Sequence, residues 1–146
     1  MIQTIRFTIP GECKGKGRPR FSRQGNYVKT YTDSETALYE NWVKSRFLET
    51  NQPPFEANVA IKCIITAWFS IPTSKSKKVK SLMAQNLLKP TKKPDCDNIA
   101  KIILDGLNSI AYKDDTQITT LAIRKYYTDK EPFVMVEMVE DREFYD

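Results

Sequence analysis

No histidine occurs among the 146 residues, and that absence excludes more chemistry than any other feature of the chain. Ser-His-Asp and Cys-His catalysis and histidine-bearing zinc sites all need an imidazole, so acid–base or metal chemistry must run on carboxylates, lysines and water. Cysteine is scarce too. Cys13, Cys63 and Cys96 are odd in number and lack C-x-x-C spacing, which fits neither a disulfide framework nor a zinc finger. A reducing, cytoplasmic setting is the expectation. The chain has five glycines, none of the runs of about 18 apolar residues that a spanning helix needs, and no apolar leader with a small-residue cleavage site. Collagen-like, membrane-bound and secreted classes are therefore not expected. With 40% apolar and 28% charged residues, the chain reads as one compact domain spanning residues 1–146, burying roughly two-thirds of its unfolded surface.

Acids are missing from two particular stretches. Residues 1–30 carry Arg6, Lys14, Lys16, Arg18, Arg20, Arg23 and Lys29 against the single acid Glu12, and residues 72–93 carry seven lysines against none. The C-terminal residues from Glu131 hold six acids, among them Glu143 and Asp146, and one arginine. A net charge of +5 concentrated in this way points to a surface that meets phosphate rather than to an evenly solvated exterior. Lys14, Lys16, Arg18, Arg20, Lys75, Lys77, Lys78, Lys80, Lys92 and Lys93 are the candidate nucleic-acid contacts. Phe21, at the end of the first basic block, fits either a core position in an ordered loop or an aromatic wedge between bases.

Hydrophobic periodicity predicts a strand over residues 2–9, a loop over 14–21 and a short extended piece over 26–31. Thr32 and Glu35 have capping-box spacing ahead of a helix whose apolar face is expected to be Ala37, Leu38, Trp42, Val43, Phe47 and Leu48. Every odd position from 57 to 71 is apolar, the clearest strand in the chain. A basic helix over 75–88 and an apolar helix over 95–111 follow. Strands over 116–127 and 133–139, joined by residues 128–132, read as a hairpin. This order predicts an α/β (α+β) domain with a mixed or antiparallel sheet flanked by helices.

Within these basic surroundings lie five aspartates, Asp95, Asp97, Asp105, Asp114 and Asp115. One aspartate at a helix N-terminus is an ordinary cap. Asp97 and Lys101 sit at i, i+4 and share a helix face with Asn98 beside them. Asp114 and Asp115 follow the C-terminal end, which is electrostatically unfavourable for carboxylates. Two readings stay open on spacing alone. The acids are a cap, an ion pair and a polar turn, or they are oxygen ligands for Mg²⁺, which takes a few carboxylates and leaves positions for water and phosphate. For one metal to hold both groups, the strand after the helix must run back along it, or the helix must start later than its pattern implies.

The stretch KPDCDNIAKIILDGLNSIAYKDDTQI, residues 93–118, resembles the signature of the RusA family of Holliday junction resolvases, with its D-x-D-N-x-x-K helix, D-x-L-N segment and K-D-D-x-Q turn. KGRPRF, residues 16–21, resembles an element common among phage-type members. The resemblance implies a RusA-like fold and a homodimeric, Mg²⁺-dependent endodeoxyribonuclease, with Mn²⁺ as a substitute, that nicks four-way DNA junctions in symmetric pairs during recombination and repair. It implies metal-binding, catalytic aspartates at Asp95, Asp97 and Asp115 and a catalytic lysine at Lys101. Asn98, Asp105 and Asp114 are implied as supporting residues. Cys96 is expected to be a packing residue, because a soft thiolate suits Mg²⁺ poorly. The alternatives are a structure-selective DNA-binding protein with an inactive site, and a metal nuclease acting on flaps, forks or duplex.

Overall fold

The computed structural model describes residues 2–142, so Glu143 and Asp146 lie outside the described residues. The elements run β1 (Thr4–Pro10), β2 (Arg20–Gln24), β3 (Tyr27–Tyr31), α1 (Ser34–Leu48), β4 (Ile61–Ser70), α2 (Lys77–Ala84), α3 (Cys96–Leu107), β5 (Ile118–Thr128) and β6 (Phe133–Glu140). Four strands form a mixed sheet in the order β1-β6-β4-β5, and β2 and β3 form a separate two-stranded ribbon. The α+β class and mixed sheet agree with the expectation from sequence.

Strand β4 is central because its odd positions Ile61, Cys63, Ile65, Ala67 and Phe69 are all buried. It pairs parallel with β5 and antiparallel with β6. The expected hairpin between the last two strands is therefore absent. Strands β5 and β6 flank β4, and residues 129–132 cross the strand between them, a span of roughly 10 Å. The reason lies in the β4-α2-α3-β5 order, since a crossover through helices returns the chain parallel to the strand it left. Strand β4 also starts four residues later than its alternation implies, because Asn58 adopts a left-handed conformation (φ 74°) that breaks the extended run.

Helices α1 and α3 pack together over one face of the sheet, whose core joins Val43 and Phe47 of α1 with Ile99, Ile102, Ile103 and Leu107 of α3. Their approach is close. A Cβ at Gly106 would sit 3.1 Å from Val43 Cβ and 3.2 Å from the Glu40 carbonyl oxygen. This crossing sets the phase of α1, which buries Thr36, Tyr39, Val43 and Phe47. Leu38 and Leu48, expected inside, face water, and Trp42 is only partly covered. The indole N–H of Trp42 instead donates to the Pro10 carbonyl at 3.0 Å, and Arg46 Nε donates to the Thr8 carbonyl at 2.9 Å.

The expected Thr32–Glu35 capping box does not form. Asp33 occupies the N-cap of α1 without capping through its side chain, because its carboxylate accepts from Arg20 Nε at 2.8 Å. Helix α2 is shorter than its pattern, capped by Ser76, whose hydroxyl accepts from the Val79 N–H at 3.3 Å. It ends before Asn86, a second left-handed residue (φ 63°). Helix α3 ends at Leu107 rather than 111, ahead of left-handed Ser109 (φ 69°).

Candidate active-site cleft

At the N-terminus of α3 the Asp95 carboxylate accepts from the Asn98 N–H at 2.8 Å, the expected cap. Asp97, in the first turn, pairs with Lys101 at 3.1 Å across i, i+4. Both carboxylates lie at the N-terminal, positive end of the helix dipole. All three side chains face solvent. Cys96 faces solvent as well, contrary to the packing role expected for it, because the first helical position leaves it outside the interface with α1.

The loop after β1 is laid against this end of α3. The Lys16 N–H donates to the Asn98 carbonyl at 3.2 Å, and a Cβ on Gly15 would stand 2.9 Å from the ring carbon Cβ of Pro94. Only glycine permits that approach, since a proline ring cannot swing aside. A cleft of about 710 Å³ results, lined by Lys14, Arg18, Lys92, Lys93, Asp95 and Asn98 among others. Four of the expected DNA contacts thus share a cleft with Asp95, from two segments about 75 residues apart in the chain, while Asp97 and Lys101 are not part of its lining.

Lys16 turns inward instead. Its ammonium sits 3.0 Å from Glu40 and 3.0 Å from Asp105, so its charge is neutralised within the fold and Asp105 serves as an ion-pair partner. Burial pulls the Lys16 pKa down, but the two carboxylates outweigh it and hold the ammonium above its ordinary value. Arg20 is likewise engaged, with Asp33. Lys77 and Lys80 of α2 line a second groove, of about 550 Å³, with Lys130, while Lys75 and Lys78 are exposed.

Asp114 and Asp115 stand at the other end of α3. A 12-residue helix spans about 18 Å, and β5 does run back along it, as the sharing of one metal requires. The strand delivers Lys125 to the Asp95 end, where its ammonium donates to the Lys92 carbonyl at 2.7 Å. The aspartates stay at the strand's beginning. Gln117 anchors that turn, its amide donating to the Glu56 and Val59 carbonyls and accepting from the Lys113 N–H. Asp114 accepts from the Thr116 hydroxyl at 2.7 Å, which lowers its pKa. Among the described residues, no group of three acids or cysteines is placed to share one metal ion. By residue type, the exposed carboxylates of Asp95 and Asp97 match the one or two carboxylate donors that Mg²⁺ takes beside water and phosphate. A three-carboxylate cage is not built among the described residues.

Glu12, whose carboxylate accepts from the Ser70 N–H at 3.0 Å, lines the cleft, and Lys125 holds the carbonyl of Lys92 at its border; local spacing points to neither. Each carries its meaning only through a partner far away in sequence. Burial pushes the Cys13 thiol up to about 11 and Cys63 up to about 12. A thiol-selective disulfide reagent is therefore expected to react at Cys96 alone in the native protein and with all three cysteines after denaturation. Four-way junction DNA should slow the reaction at Cys96 if the cleft is where DNA sits. Equal rates with and without DNA would remove the cleft from the DNA interface.

Among the described residues, no helix is long and apolar enough to cross a membrane. In comparison with known proteins, the chain is 33% identical over 137 residues to YqaN of Bacillus subtilis (strain 168), an uncharacterized protein, covering 92% of this chain and 95% of that one. The sequence model of the endodeoxyribonuclease RusA family matches residues 10–139, which take in the loop, the cleft and both pairs of aspartates. The protein belongs to the RusA endodeoxyribonuclease family.

Proposed function

We propose that the protein is a homodimeric, Mg²⁺-dependent endonuclease, with Mn²⁺ as a substitute, that resolves four-way DNA junctions by paired nicks. The supporting observation is the cleft, lined by Lys14, Arg18, Lys92, Lys93 and Asp95, at the end of α3 that carries the Asp97–Lys101 pair. The basic side chains would hold the phosphodiester, and Asp95 and Asp97 would hold the cation. Mg²⁺, when bound, polarises the phosphodiester and lowers the pKa of its water. Lys101, one helical turn from Asp97 and 3.1 Å from its carboxylate, would stabilise charge on the phosphate oxygens. Asp114 borders the turn that carries Asp115. Asp115 enters this reading as a carboxylate delivered by the second subunit, since α3 separates it from the pair in its own chain. A two-fold dimer would offer two equivalent sites to the two-fold junction.

The test is incubation with an immobile four-way junction and matched duplex, with and without Mg²⁺, reading nicks on denaturing gels. Paired nicks on the junction alone are the expected result. Nicks on flaps, forks and duplex alike point to a general nuclease, and binding without nicks to an inactive structure-selective binder. The α2 lysines add a second expectation. Changing Lys75, Lys77, Lys78 and Lys80 to Gln should weaken binding to every DNA and flatten the salt dependence by about 0.9 in log–log slope for each phosphate no longer neutralised. An unchanged slope would leave α2 outside the interface.

A further inference from the structure

The ribbon formed by β2 and β3 takes no part in the core. Its extensive packing is within itself, and it is tied to the body at its base, where the Gly17 N–H donates to Thr36 Oγ1 at 3.0 Å and Arg20 meets Asp33. Gly25, with φ 61°, turns the tip. The register places Tyr27, Lys29 and Tyr31 on one face, with Gln24 opposite Tyr27 and Arg20 opposite Tyr31. Tyr27 is 79% exposed and Tyr31 46%. No acid occurs from Cys13 to Thr32.

Exposed aromatic rings in water are not explained by a solvated basic face, which needs only the charges. A second copy of the ribbon is a poor occupant, since a two-fold interface sets each patch against itself and would oppose like charges. Rings alternating with cations match single-stranded nucleic acid, where bases stack on aromatic faces and phosphates meet the ammonium groups. Stacked duplex withholds its base faces. A strand-exchange point does not.

We propose that the β2–β3 ribbon is a base-stacking arm that engages unstacked bases at the junction centre through Tyr27 and Tyr31, with Lys29 on the intervening phosphate. The two rings are about 13 Å apart along the strand, enough to hold two separate bases. Two residues beyond Arg18, which lines the cleft, the ribbon begins, so an arm there can hold the crossover while the cleft holds a strand. This inference rests on the DNA-junction reading above.

It is tested without metal or cleavage, using a four-way junction carrying 2-aminopurine at the exchange point and a matched duplex. The Tyr27→Ala, Tyr31→Ala double variant is expected to bind the junction at least about tenfold more weakly, to bind duplex unchanged, and to lose the quenching of 2-aminopurine. The corresponding double Phe variant should keep both, because the rings remain. Unchanged junction affinity and quenching in the Ala variant would overturn the arm while leaving the junction reading intact. Loss of the dimer in that variant, read by light scattering, would assign the ribbon to the subunit interface and overturn it as well. If the unsubstituted protein prefers neither DNA nor junctions, the reading beneath it fails first.

Discussion

Asp97→Asn is expected to cut four-way junctions about 10³-fold more slowly while binding them within about threefold of the unsubstituted protein. The substitution removes one negative charge and keeps the shape of the side chain. Asp97 is exposed at the helix start and its partner in the fold is Lys101, also exposed, so little stability depends on the pair. On the proposed reading the affinity for DNA rests on the lysines and arginines around the cleft, and removal of a nearby carboxylate should not weaken their hold on phosphate. Lys101→Ala should follow the same pattern, with slower cleavage and nearly unchanged binding. A large drop in affinity with normal turnover would move Lys101 from the chemistry to phosphate binding. Single-turnover cleavage and fluorescence anisotropy on the same junction separate the two. Cleavage by the Asp97→Asn protein at the normal rate would take Asp97 out of the site.

Lys16→Met carries the second large effect, on stability rather than rate. Lys16 lies between Glu40 and Asp105, and all three side chains are at least partly covered, with Glu40 only 15% exposed. Removing the cation leaves two carboxylates facing each other where α1 and α3 cross. Breaking a buried ion pair from one side costs about 3–5 kcal/mol, and the partial exposure of Asp105 reduces this to about 2 kcal/mol. A destabilisation of that size lowers the melting temperature by about 4–8 °C. The triple variant Lys16→Met, Glu40→Gln, Asp105→Asn should recover most of it, because the stranded charges go too. The Lys16 pKa is raised in the folded state. Its stabilising contribution is therefore full below the ordinary lysine value and fades as pH rises through the folded one. Lys16→Met and unsubstituted protein should converge only in strongly alkaline solution. Equal melting temperatures at neutral pH would show that the ion pairs add nothing, and weaker DNA binding without a change in stability would return Lys16 to the DNA interface.

Local sequence signals were legible where their partners lie within a turn or two. The Asp95 cap and the Asp97–Lys101 pair are both spacing effects, and both occur as spacing predicts. The odd-position alternation of β4 survives as its buried face. Signals that depend on a distant partner misled. Leu38, Trp42 and Leu48 have helical spacing equal to that of the residues α1 buries, and only the crossing at Gly106 chooses between them. Thr32 and Glu35 have the right separation for a capping box, yet Arg20 claims the adjacent Asp33. Nearness in sequence suggested that β5 and β6 pair, and β4 lies between them. Phe21, compatible with either a core or an exposed place, is 70% exposed on the ribbon.

The amino-acid order by itself determined the chemical inventory of this protein: carboxylates and amines without imidazole, two basic blocks, and an acidic helix start whose motif carries the family. Those properties depend on residue type and on separations within one helix, which backbone geometry converts directly into proximity. Tertiary structure alone decided which charges meet. Packing of the β1–β2 loop on α3 carried Lys14 and Arg18 to Asp95, turned Lys16 inward to Glu40 and Asp105, and left Asp115 at the far end of α3. Side chains so far apart in the chain meet only when burial of the apolar core fixes how the helices and strands cross, and no local spacing encodes that crossing.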